Sequence, residues 1–243
     1  MKVSATLPKV AYVVLTFCMF SLIIAPAAMP SEAKAGVNAR LTKILAPRPL
    51  AFEANQGQTG PAVKFLAQGP DYKMFFTPAE MVLTLRKSPL TKTVILRMRL
   101  EGATARAEVS GINPLPGKVN YFIGNDPKKW RLGVPAFAKV KYKSVYPGID
   151  LVFYGRQGRM EYDFKVYPGG DPRSISLCFT GADKISLDQD GNLLLHTPGG
   201  VLTQSAPLAY QAADGRREKV SCNYTLLGKD RVCFKVGGYD PKK

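Results

Sequence analysis

The stretch YPGIDLVFYGRQGRMEYDFKV, residues 146–166, decides the fold. Its apolar and polar residues alternate on both sides of a Gly-containing turn, which is the pattern of a half-buried hairpin. If Gly155 faces Gly158 across a two-residue loop, Phe153 faces Met160, Leu151 faces Tyr162 and Ile149 faces Phe164. One side of the hairpin is then wholly apolar. A slip of one residue would bring acids to that side, so burial rejects it. The same register sets Asp150 against Asp163 and Val152 against Glu161 on the other side. Like charges directly opposed cost roughly 0.2–1 kcal/mol, so something must offset them.

Three partners could do so. A bound cation such as Ca²⁺ takes carboxylate oxygens. Two carboxyl groups with split pKa values could form an acid/base pair. Basic side chains on neighbouring strands could neutralise the acids. The third is well supplied: AKVKYK alternates Lys139, Lys141 and Lys143 with Val140 and Tyr142, and VILRMRL alternates Arg97 and Arg99 with Leu96, Met98 and Leu100. The simplest expectation is an exposed ladder of mixed charge, in which Asp150→Asn changes stability by no more than about 1 kcal/mol. Asp150, Glu161 and Asp163 remain the candidate cation- or ligand-binding residues.

From Val63 onward the chain repeats this grammar. Short alternating runs such as VKFLA, MVLTLR, VNYFI, SISLCF and RVCFKV are separated by Gly, Pro, Asn and Asp. No long stretch has a helical period; the one helical turn expected is at NDPKKW, capped by Asp126 and started by Pro127. LDQDGNLLL reads as a hairpin turning at Asp190-Gly191. The fold class is therefore all-β, an antiparallel β-sandwich of many short strands. The expected division is a signal peptide over 1–35, an extended segment over 36–62 and the β-domain over 63–243, with a break near 168–173 if there are two subdomains.

Residues 1–35 carry the layout of an export leader. Lys2 and Lys9 precede the apolar run VAYVVLTFCMFSLIIA at 10–25, and the small-x-small triplet Ala33-Lys34-Ala35 follows. The run is short for a span, which needs roughly 20 apolar residues, so no stable membrane span is expected after cleavage. The formal net charge is +16 over 243 residues; losing three lysines and one glutamate with the leader leaves +14. Such a protein outside the cytoplasm meets anionic cell-surface polysaccharide or envelope proteins, and no nucleic-acid module is legible. Cys178, Cys222 and Cys233 remain after the leader. With an even loop at LGKDR, Cys222 lies roughly 13 Å along the partner strand from the residue opposite Cys233, and with a three-residue loop the two fall on opposite faces. Buried thiols fit better than a bridge. The single His196 allows no multi-histidine zinc site and has no nucleophile motif beside it; a hydrogen-bonded strand-end histidine is expected.

Two stretches, FEANQGQTGPAVKFLAQGPDYKMFFTPAEMVLTL and LPGKVNYFIGNDPKKWRLGVPAFAKVKYKSVYPGIDLVFYGRQGRMEYDF, followed in order by YPGGDP, LDQDGNLLLHTPGG and VGGYDP, resemble the N-terminal domain of bacterial seven-bladed-propeller (SBBP) repeat proteins. The resemblance covers about residues 50–241. It implies an all-β, extracytoplasmic, non-enzymatic module of secreted or surface proteins, and carries no catalytic residues across. The chain departs from that pattern by stopping at Lys243 without propeller repeats. Two functional readings follow: a non-catalytic surface module, structural or binding, with no cofactor, or a carbohydrate-active or cation-binding (Ca²⁺) protein using Asp150, Glu161 and Asp163. The leader layout predicts that exported protein begins at Gly36, which N-terminal sequencing checks; an intact Met1 would refute it.

Overall fold

The computed structural model describes residues 12–22, 50–85, 93–104, 107–156, 158–213 and 216–241. Among them the protein is nearly all-β, an antiparallel and nearly closed barrel-like sheet. In chain order the strands are β1 (Tyr12–Leu22), β2 (Phe52–Ala54), β3 (Phe65–Gln68), β4 (Tyr72–Phe76), β5 (Glu80–Leu85) and β6 (Val94–Leu100). There follow β7 (Glu108–Tyr121), β8 (Arg131–Tyr146), β9 (Ile149–Arg156), β10 (Arg159–Val166), β11 (Ser176–Thr180) and β12 (Lys184–Leu187). The last six are β13 (Leu193–Thr197), β14 (Gly200–Gln204), β15 (Leu208–Ala213), β16 (Arg216–Val220), β17 (Cys222–Leu227) and β18 (Arg231–Val236).

The long strand β8 organises the sheet. One edge carries β7; the other carries β9 along residues 139–146 and β2 at residues 136 and 137. From β2 the ladder runs through β3, β4, β5 and β6 to β11, β18 and β17. From β9 it runs through β10 to β1, which pairs with both β14 and β15. The apolar centre of the leader-like segment is thus a strand inside the sheet. The Ala33-Lys34-Ala35 triplet, Lys2, Lys9 and residues 36–49 lie outside the described residues, as do Ala105 and Arg106 before β7.

Alternation translates directly into burial. In β6, Val94, Leu96 and Met98 are buried while Ile95, Arg97 and Arg99 are exposed. All six hairpin residues expected inside, Ile149, Leu151, Phe153, Met160, Tyr162 and Phe164, are buried in one core cluster. That cluster also takes in Phe52, so the core begins upstream of Val63. Aromatic rings run through it in edge-to-face and tilted contacts. Phe52 meets Phe76 at 5.3 Å, Phe76 meets Phe153 at 5.1 Å and Phe153 meets Tyr162 at 5.6 Å. Tyr162, Phe164, Phe234 and Tyr224 continue the series.

Small elements follow local chemistry. Asp126 caps a single 3-10 turn at Pro127–Lys129 by accepting the Lys128 N–H. Asp188 accepts the N–H groups of Asp190 and Asn192 and closes the 188–192 loop, with Gly191 at positive φ. Leu227 faces Arg231, which sets Cys233 opposite Thr225 and leaves Cys222 on the other face; both thiols are free.

The hairpin register corrects the expectation. Arg156, not Gly155, faces the residue after Gly158: the closing pair is Arg156 with Arg159. Phe153 therefore faces Tyr162, Leu151 faces Phe164 and Ile149 faces Val166. A shift of two residues keeps every side chain on its own face, so burial alone cannot detect it. The glycines decide. Gly158 sits in the loop at φ 76°, a conformation costly for other residues. Gly155 belongs to the ladder because Leu50 packs there: a Cβ would come within 2.4 Å of the Leu50 Cβ.

Phe153 joins Phe76, Tyr142 and Tyr162 and is almost fully buried. Phe153→Ala should destabilise the fold by roughly 3–5 kcal/mol, seen as a lower midpoint in urea denaturation with an unchanged slope.

Candidate functional site

The two-residue shift changes the meaning of the acids. Asp150 faces Lys165, Val152 faces Asp163 and Tyr154 faces Glu161. The expected opposition of Asp150 and Asp163 does not occur. Nor is this face an open ladder: Asp150 and Glu161 are buried, at 5% and 6% exposure.

Asp150 has a full set of donors. Lys141 Nζ lies 2.8 Å from its Oδ2, Tyr167 Oη donates to the same oxygen at 3.0 Å, and the Ser144 N–H donates to Oδ1 at 2.8 Å. Ser144 is a non-glycine residue at φ 52°, inside an irregularity of β8 that precedes the turn at Pro147-Gly148. Left-handed backbone costs about 1–2 kcal/mol for such a residue; the charge-assisted bond from its N–H offsets part of that. Asp150 thus clamps the bend that lets β8 fold back as β9. Burial pushes its pKa up, but the bonds from Lys141, Ser144 and Tyr167 outweigh burial and hold it below its ordinary 3.8.

Asp163 is half-buried and accepts the Tyr154 hydroxyl at 2.9 Å. Burial first, then the charge of Asp163, raises the Tyr154 phenol far above its ordinary range. Glu161 is different. Its Oε2 is buried and has no hydrogen-bond partner, and Arg156 Nη1 stands 3.9 Å away. Lys165 lies over the Tyr167 ring, and burial followed by repulsion from Lys141 lowers its pKa. Lys139 covers the Tyr154 ring at 5.2 Å. Of the expected cations, Lys141 and Lys139 meet this acidic face. Arg97 pairs with Glu80, Arg99 approaches the Cys178 thiol, and Lys143 faces Glu108. Among the described residues no three His, Cys, Asp or Glu side chains gather closely enough to hold a metal ion. A cavity of about 460 Å³ lies by Gln211, Arg216 and Tyr239, and Asp150, Glu161 and Asp163 do not line it. His196 Nε2 shares a hydrogen bond with Ser186 at 2.9 Å, as its strand-end position suggested.

Another surface went unmarked in the sequence reading. The turn joining β7 to β8 exposes Phe122, Ile123 and Leu132, with Phe122 and Leu132 at 64% and 59% exposure. The Phe122 ring meets the Trp130 ring edge-on at 5.0 Å, and the Trp130 indole N–H donates to the Gly124 carbonyl. Lys118, Lys128 and Lys129 are exposed here beside Arg131; Asp126, the acid in the turn, caps the 3-10 turn. The base is braced: Tyr121 donates to the buried Glu53 and accepts from Gln68, and Arg131 packs over Gly57. The available signal was YFIGNDPKKWRL, in which four large apolar residues crowd a turn that has no alternation to bury them.

Residues 52–243 match the family described as "Domain of unknown function (DUF7948)". The chain belongs to this family. No curated protein and no solved structure matches it. Among the described residues, no helix of this DUF7948 domain is long and apolar enough to cross a membrane.

The Asp150 cage predicts a larger effect than a surface ladder would. Asp150→Asn should cost roughly 2–4 kcal/mol, because it weakens charge-assisted bonds and strands Lys141. A depressed folded pKa adds stability above the unfolded value, and that stability is lost as pH falls through the folded pKa. Chemical denaturation from pH 7 to pH 2 should therefore show an acid-side loss below about 4, smaller in the Asn variant.

Proposed function

We propose that this DUF7948 chain is a non-catalytic, extracytoplasmic module whose sheet holds the β7–β8 turn against an anionic lipid surface. The observation that carries this is the cluster of exposed Phe122, Ile123 and Leu132 among Lys118, Lys128 and Lys129. Exposed apolar groups rimmed by cations suit an interface with acyl chains beneath and phosphates above. A polysaccharide would favour amide and carboxylate side chains for hydrogen bonding to hydroxyls. Asn125 and Asp126 stand in the turn, and the Asp126 carboxylate is taken up in capping. Net charge draws the protein toward such a surface, since each basic residue near an anionic membrane contributes about 1 kcal/mol.

The leader layout and the likeness to the first domain of propeller-repeat proteins support the extracytoplasmic, surface-module reading. The reading of Asp150, Glu161 and Asp163 as a carbohydrate-active or Ca²⁺ site has less behind it. Lys141 stands where a cation would, and two of the three acids are buried.

Cosedimentation with vesicles tests the proposal. The protein should bind phosphatidylglycerol vesicles and not phosphatidylcholine vesicles. Phe122→Ser with Leu132→Ser, or Lys128→Glu with Lys129→Glu, should each weaken binding about tenfold or more. The lysine pair should also reduce the salt dependence. Equal binding by the Phe122→Ser/Leu132→Ser variant, or preference for a soluble anionic polysaccharide such as dextran sulfate, would overturn the lipid assignment.

A further inference from the structure

Trp130 is the single tryptophan of the chain and sits directly before β8, at the end of the β7–β8 turn. Unlike the apolar residues around it, it is only partly exposed. Its indole N–H donates to the Gly124 carbonyl at 3.2 Å, which draws the two ends of the turn together. The Phe122 ring stands edge-on against the Trp130 ring, with centroids 5.0 Å apart and planes at 82°. Phe122 itself remains 64% exposed. One flank of that ring is thus held while the rest faces outward.

The backbone of the turn is closed on itself in the same way. The Lys129 N–H donates to the Asp126 carbonyl and the Trp130 N–H to the Pro127 carbonyl. The Asp126 carboxylate accepts the Lys128 N–H, and Arg131 Nη1 donates to the carbonyls of Lys128 and Trp130. A loop that faces water needs none of this, because water satisfies its carbonyls. A loop pressed into the boundary between phosphates and acyl chains does, since an unsatisfied backbone group is costly there.

We propose that the β7–β8 turn is a preformed wedge and that Trp130 is its positioning residue, an inference that rests on the lipid reading. Trp130 acts through Phe122: it holds that ring in the pose that enters the membrane, so binding does not have to order the turn first. Ordering one large side chain at an interface weakens binding by about two- to tenfold, and Trp130 removes that loss before contact. Tryptophan also anchors at membrane interfaces in its own right, with an apolar ring and a polar N–H at headgroup level. Here the N–H is already taken up by Gly124.

The single tryptophan gives the test a unique signal, one indole N–H resonance in proton NMR. Without vesicles, that proton should exchange with solvent at least about tenfold more slowly than in free tryptophan, and Phe122→Ser should shift its resonance. With phosphatidylglycerol vesicles, Trp130→Ala should weaken cosedimentation about two- to tenfold. The urea midpoint should stay unchanged, because Trp130 lies outside the core cluster. Added to Phe122→Ser, Trp130→Ala should weaken binding no further, as two residues acting as one require. Additive losses, or a lowered midpoint, would overturn the positioning role. An indole proton that exchanges as in free tryptophan would overturn the preformed turn, with or without vesicles. If the unmodified protein ignores phosphatidylglycerol vesicles, the lipid reading falls and takes the binding role of Trp130 with it, even where the indole proton is protected.

Discussion

Phe153 is the contact on which the rest depends. Its ring touches Phe76 from the β2–β6 side and Tyr162 from the β9–β10 hairpin, with Tyr142 of β8 also against it. The core is therefore one continuous cluster. Edge-to-face aromatic pairs add about 0.5–1.5 kcal/mol each beyond the area they bury. The hydroxyls at the far end are held by Gln204, which reaches both Tyr162 and Tyr224. Gln204 Oε1 itself is left buried without a partner.

The acids show how a strongly basic protein uses its few carboxylates. Asp150 fixes a left-handed residue at a bend, Glu53 secures Tyr121 at the base of the β7–β8 turn, and Asp126 and Asp188 close short loops. Each meets backbone N–H groups or a phenol, at buried positions for Asp150 and Glu53 and at the surface for Asp126. The carboxylates spent on geometry leave the surface cationic. That is why the functional proposal turns to an apolar, lysine-flanked turn and not to the acidic face that the sequence first singles out.

Strand β1 couples two properties that the sequence reads separately. An apolar run with a basic start suits an export leader; the same run suits a strand that is buried on both faces. Apolar content satisfies both roles, since the translocation machinery and a sheet interior each select against charge.

Sequence alone determined the all-β class, the apolar face of the hairpin and of the strands at 94–100 and 139–143, the Asp126 cap, a turn at Asp190-Gly191 and the separation of Cys222 from Cys233. These follow from period-two alternation and from turn residues, which act over a few neighbouring positions. It could not determine the hairpin register, because a two-residue shift preserves every face and only Leu50, about a hundred residues away in sequence, explains why Gly155 is a glycine. Burial of Asp150 and Glu161 was likewise invisible: Tyr167, Ser144 and β1 approach them through tertiary packing. Long-range contacts place partners that no local pattern encodes, and here they turned an apparent cluster of acids into a clamp, a hydrogen-bond acceptor and a buried carboxylate beside Arg156.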